Sequence, residues 1–171
     1  MLIAPVAVGA SMLVTFLIIP TFFPPPLPIN VCLKSLNTET FQLYPRVEVF
    51  VDGHQKWLPA DVGRAPQHGK DCVRPIRTDQ IGDVVHIEYI RPIRLNLADF
   101  MKVYTNNSTT IKVVDNSTGA YQNQTINLPD YNIQYSYYTA NSWQNVTKAS
   151  DTPAFPTDNK LLDRISLTRI K

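Results

Sequence analysis

The run Leu2 to Phe23, LIAPVAVGASMLVTFLIIPTFF, contains no charged residue. As a helix it would reach about 33 Å, against a bilayer hydrocarbon core of about 30 Å. It predicts a single N-terminal transmembrane helix over residues 1–23, with everything after it folded outside the lipid. A secretory signal is the competing reading, but that calls for a basic leading segment and a small-x-small cleavage site. The first basic residue is Lys34, and bulky residues or prolines follow Ile19. An uncleaved span therefore fits better. Pro5 stands where a helix start tolerates proline, and Pro20 kinks or ends the helix. Gly9, Ala10 and Ser11 form a small-residue patch that would let a partner helix approach closely. Lipid-facing filler has the same composition. The partners implied by this segment are integral membrane protein subunits and the bilayer itself.

Residues 24–40 read as a proline-rich linker, opening with Pro24, Pro25, Pro26 and Pro28, a semi-rigid spacer rather than a loose tether. Residues 41–171 read as one extracytoplasmic β-domain, large enough to enclose a core. Net charge is only +2 and no basic run stands out, so no nucleic-acid partner is expected. Asn-x-Ser/Thr sequons at Asn106, Asn107, Asn116, Asn123 and Asn145 favour the extracytoplasmic side and are candidate glycosylation sites. Cys32 and Cys72 are an even pair; in an oxidising compartment they could form a disulfide between linker and domain, and two free thiols are the alternative.

Fourteen prolines argue against long helices, and the domain reads as short strands. Arg46–Val51 alternates, Asp52-Gly53 is a hairpin turn signal, and His54–Leu58 returns. Pro59–Asp71 reads as a loop and Cys72–Ile76 as a short strand. Val84–Ile90 is the most strand-like run, with Val85, Ile87 and Tyr89 expected in the core and His86 and Glu88 on the opposite, solvated face. Asn96 is placed to cap one short helix, Leu97–Tyr104. Strands resume at Thr110–Val114, Ala120–Ile126, Tyr131–Thr139 and Leu161–Ile170, and Asn141–Asn159 reads as a surface excursion. The expected fold is mainly β, a β-sandwich or small barrel with one short helix.

Candidate chemistry is sparse. His86 and Glu88 share a strand face and are the strongest metal candidates, but no third ligand follows by spacing, so the expected cofactor is none and copper is the runner-up. No phosphate loop, nucleophile elbow, dinucleotide fingerprint or zinc-protease motif is present, so no enzyme activity is expected of this chain alone and no catalytic residue is assigned. Arg74, Arg77, Arg91 and Arg94 fall in two Arg-Pro-Ile-Arg segments flanking the Val84–Ile90 strand. They read either as a partner-binding rim, since guanidinium forks suit acidic groups, or as charges that guard a sheet edge. The tyrosines of Tyr131–Tyr138 read as sheet filler or as a stacking surface for sugars.

One ordered set of segments carries a resemblance: Val49-Phe50-Val51-Asp52-Gly53, Leu58-Pro59-Ala60-Asp61-Val62-Gly63, Asp71-Cys72, Val84-Val85-His86-Ile87-Glu88 and Leu97-Ala98-Asp99-Phe100-Met101-Lys102-Val103-Tyr104. In this order the chain resembles a family of small, membrane-anchored extracytoplasmic β-proteins of ammonia-oxidising archaea. That pattern has an Asp-Gly turn, an Ile-Pro-x-x-Ile-Gly loop, a His-Thr-His-Asp segment, Ile-His-Ile-Glu and a Leu-x-x-Phe-Phe helix. This chain departs from it where histidines are expected. It has Arg77-Thr78-Asp79-Gln80 for the His-Thr-His-Asp segment and Gln42-Leu43-Tyr44 for an earlier His-x-His, keeping only His86. The resemblance implies a scaffold that has lost any metal set. It further implies an accessory or structural subunit of a membrane complex, with archaeal ammonia monooxygenase as the candidate. Copper binding or electron transfer, and envelope or glycan binding, are the alternative functions.

Overall fold

The computed structural model describes residues 28–33, 39–67, 70–106, 108–158 and 162–170. The apolar run with Gly9 and Ser11, most of the proline linker, and Asn107 lie outside the described residues. Among the described residues no helix is long and apolar enough to cross a membrane.

The described part is mainly β, with several sheets and one α-helix. Its strands are β1 (Phe41–Leu43), β2 (Arg46–Val51), β3 (His54–Lys56), β4 (Arg64–Gln67), β5 (Lys70–Val73), β6 (Ile76–Arg77) and β7 (His86–Tyr89). After helix α1 (Leu97–Thr105) come β8 (Thr110–Asp115), β9 (Gln122–Asn127), β10 (Tyr131–Thr139), β11 (Ser142–Val146) and β12 (Leu162–Arg169). The largest sheet has the order β11-β10-β12-β2-β3, a second has the order β1-β7-β6, and β4-β5 and β8-β9 are two-stranded ribbons.

Local signals form what they predict. Asp52 and Gly53 both take positive φ, 50° and 80°, and turn β2 into β3. Asn96 and Asp99 form a reciprocal capping box at the start of α1, which ends at Asn106 in the left-handed conformation. The apolar face of α1 buries Leu97, Phe100, Met101, Val103 and Tyr104. The core joins these to Val47, Val49 and Val51 of β2, Ile165 and Leu167 of β12, and Ile76, Val85 and Ile87 of the second sheet.

Three expectations are corrected. The Pro59–Asp71 loop contains β4, paired antiparallel with β5; its Gly and Pro residues look like strand breakers, yet a two-stranded edge ribbon tolerates them. Gly63, at φ +84°, brings this segment against β6, where an added Cβ would stand 2.5 Å from the Ile76 carbonyl oxygen. The Asn141–Asn159 excursion contains β11, reached through Ala140 and Asn141 at positive φ. It then sends Phe155 into the core, with Phe155 N–H donating to the Leu95 carbonyl at 2.8 Å. The face opposite the Val85–Ile87 core is not solvated, because His86 and Glu88 are buried. One pairing had no local signal: β12 lies parallel to β2, so the end of the chain completes the sheet begun near residue 46.

The linker enters the fold earlier than its proline content suggests. Pro28–Asn30 is a short 3-10 turn with Ile29 buried in the core. Leu33 N–H donates to the Val73 carbonyl at 2.8 Å. Cys32 and Cys72 form a disulfide, closing a sequence separation of 40. Loop closure of this size is worth about 4 kcal/mol of stability.

Candidate functional site

The second sheet carries a polar face. Its strand register sets Arg77 of β6 opposite His86 of β7, and Gln42 of β1 opposite Glu88. Tyr44, just past β1, stacks on the His86 ring with centroids 4.6 Å apart. Arg77 Nη2 donates to Glu88 Oε2 at 2.6 Å, and Arg77 Nε to Asp79 Oδ1 at 2.8 Å. His86 Nδ1 meets Asp79 Oδ2 at 2.5 Å. Glu39 N–H donates to Glu88 Oε1 at 3.2 Å. Arg77 is 2% exposed, Glu88 0% and His86 3%. This is a buried ion-pair network in which Arg77, His86 and Glu88 are enclosed, Glu39 and Gln42 are half-buried, and Asp79 and Tyr44 are exposed.

The arrangement explains why charges sit inside. A buried carboxylate is tolerated when a cation and further hydrogen bonds replace water, and Glu88 receives both. Burial would raise the pKa of Asp79, but hydrogen bonds from His86 and Arg77, with the guanidinium's charge, outweigh it and hold the carboxyl below its ordinary value. Its contribution to stability is therefore present above the ordinary carboxylate range and fades as pH falls through the lowered value. Thr78 locks the segment in place. Its hydroxyl donates to the Pro59 carbonyl at 2.6 Å and accepts from Val62 N–H at 3.1 Å.

With its proton on Nδ1, His86 donates to Asp79 and keeps Nε2 as a buried acceptor, for which no partner stands among the described residues. A carboxylate-braced imidazole of this kind suits a metal ligand or a base. Among the described residues no group of three His, Cys, Asp or Glu could hold a metal with it.

The predicted arginine rim divides. Arg77 is inside the network, which corrects its reading as an outward partner contact; pairing with β7 places its guanidinium beside Glu88. Arg91 and Arg94 are exposed, and Arg74 is half-buried with Nη2 3.4 Å from the Asn106 amide oxygen. Asn106, Asn116, Asn123 and Asn145 are exposed. The row Tyr131, Ile133, Tyr135 and Tyr137 faces inward against the core, and only Tyr138 of that strand's tyrosines is exposed.

Asp163 was missed. It stands on β12 between Val47 of β2 and Tyr137 of β10, 0% exposed, with neither carboxylate oxygen hydrogen-bonded among the described residues. Burial pushes its pKa up to about 7. The alternation Asp163, Ile165, Leu167 was the available signal, since two core residues at period two place the third on the same face.

Compared with known proteins, the chain matches no family model, no curated sequence and no solved structure.

Proposed function

We propose that this chain is a non-catalytic, membrane-anchored accessory subunit of a membrane protein complex. Its apolar N-terminal stretch packs among partner helices, and its β-domain, a sandwich of the two larger sheets, stands on the extracytoplasmic face. The observation that carries this reading is the way the chain enters the domain. Buried Ile29, the Leu33–Val73 hydrogen bond and the Cys32–Cys72 disulfide tie the end of the linker to the core. A domain attached with so little slack is suited to being held in register above a membrane segment, not to ranging from it.

The polar face supports a scaffold role. Positions 42, 44, 77 and 79, where the resembling family pattern has histidines, converge around His86 and Glu88. Here they are Gln42, Tyr44, Arg77 and Asp79, occupied in stacking and ion pairing. Positions that would form a histidine set in the resembling pattern here build a structural face, and the resemblance makes archaeal ammonia monooxygenase the first complex to test. The copper alternative rests on His86 with Asp79 behind it; the glycan-binding alternative loses its tyrosine row to the core.

Native electrophoresis of the full chain, taken from its own membranes in mild detergent, tests the proposal. The expected band lies well above the chain's 19.3 kDa and contains companion membrane subunits. Migration as a detergent-bound monomer overturns it.

A further inference from the structure

Two of the sequons differ from the others in what stands beside them. In Tyr121-Gln122-Asn123-Gln124-Thr125 and Trp143-Gln144-Asn145-Val146-Thr147 an aromatic residue precedes the asparagine by two and a threonine follows by two. Asn123 and Thr125 lie on β9 with Tyr121 just before its first residue, and Trp143 and Asn145 lie on β11, where a strand's period of two points them to one face. Both asparagines and both threonines are exposed. Tyr121 is 65% exposed, a large aromatic surface mostly open to water. Trp143 is braced: the Arg164 guanidinium stacks 3.8 Å from its ring centre, and that same guanidinium pairs with Glu48 at 2.7 Å. Between them Ser136, opposite both Asn145 and Arg164, is buried. The indole is thus held in place beside the asparagine.

The remaining described sequons lack this. Asn106 follows a helix, its preceding aromatic Tyr104 is buried, and its amide oxygen accepts from Arg74. Asn116 lies in the turn after β8, with Val114 two residues before it.

We propose that Asn123 and Asn145 carry N-linked glycans whose first sugar packs its apolar face on Tyr121 and on Trp143. This rests on the extracytoplasmic placement argued above. The donor is a lipid phosphate- or pyrophosphate-linked oligosaccharide, supplied by the membrane transferase. The amide Nδ2 bonds to the sugar's anomeric carbon, the bond from that carbon to the phosphate oxygen breaks, the lipid phosphate leaves, and the amide proton passes to base. The sugar then covers apolar ring surface otherwise open to water. Glycans on the largely exposed strand β9 and on edge strand β11 also block strand addition at those edges.

The full chain expressed in a eukaryotic secretory host tests this by glycopeptide mass spectrometry at each sequon and by thermal unfolding. The expected result is occupancy at Asn123 and Asn145. Trimming each glycan to its first sugar leaves the melting temperature unchanged, and complete removal lowers it by about 2–4 °C. Tyr121→Ala abolishes the Asn123 part of that drop while barely altering the unglycosylated protein, because the side chain is exposed. For Asn145, combining Trp143→Ala with Asn145→Gln separates the sugar contact from the Arg164 contact. Occupancy at Asn116 without Asn123 or Asn145 overturns the inference and leaves the outward placement standing, as does a removal effect that survives Tyr121→Ala and Trp143→Ala. A chain modified at no sequon overturns both.

Discussion

Arg77→Met is expected to destabilise the domain by about 3–5 kcal/mol, the range for removing one partner of a buried ion pair. The substitution keeps an unbranched, flexible side chain of similar reach, so the loss is electrostatic more than steric. It leaves Glu88, at 0% exposure, without its cation and with Glu39 N–H as a remaining donor. It also removes one of the two groups that hold Asp79 ionised. Replacing both members, Arg77→Met with Glu88→Leu, is expected to recover most of the loss, because no uncompensated charge remains. Urea unfolding of the protein, with its disulfide intact, measures both. Equal losses in the single and double variants would mean that these residues matter for shape and not for charge compensation.

The second large effect concerns Asp163 and runs with the opposite sign in pH. Its carboxyl has a pKa of about 7 in the folded chain against an ordinary value of 3.8. Below the ordinary value the group is protonated in both states and imposes no penalty. Between about 4 and about 7 the unfolded chain ionises and the folded chain does not, so stability falls as pH rises. Above that window the penalty levels off at about 4 kcal/mol. Asp163→Asn cannot ionise, so it is expected to be more stable than the parent at pH 8 and no more stable at pH 4. Its amide still lacks partners, which keeps the gain at pH 8 below the full penalty. Thermal unfolding from pH 4 to pH 8 reads this directly, and parallel profiles for parent and variant would contradict it. Asp79 works in the other direction, since its lowered pKa removes stability only under acid conditions.

Both effects arise where sequence patterns were hardest to read. The Asp52-Gly53 hairpin and the Asn96 cap were legible because each is decided within four or five residues. The β12–β2 pairing was not, since nothing local joins Arg164 to Glu48 across the length of the domain. His86 and Glu88 alternate with Val85 and Ile87, and that pattern ordinarily marks a strand with one wet face. Their burial depends on Arg77 arriving from β6 and Tyr44 from beyond β1, so compensation becomes visible only with the sheet assembled. The same assembly turned one arginine of the predicted rim inward and left Arg91 and Arg94 outside. Asp163 sat in a readable row, but an acid between core residues offers no sequence clue that it lacks a partner.

The disulfide gives the opening stretch of the chain its meaning. Leu2 to Phe23 carries no charge, and the residues after it are tied to the core at Ile29, Cys32 and Leu33. On the proposed reading, a membrane segment coupled this way would pass its position to the domain, and partners holding that segment would also orient the β-sheets. Crosslinking mass spectrometry on intact native membranes tests that claim most directly, using exposed lysines such as Lys102, Lys112 and Lys148. The expected result is a consistent set of crosslinks from these lysines to extracytoplasmic loops of one group of integral membrane subunits. Crosslinks confined to the chain itself, or running to cytoplasmic proteins, would contradict it.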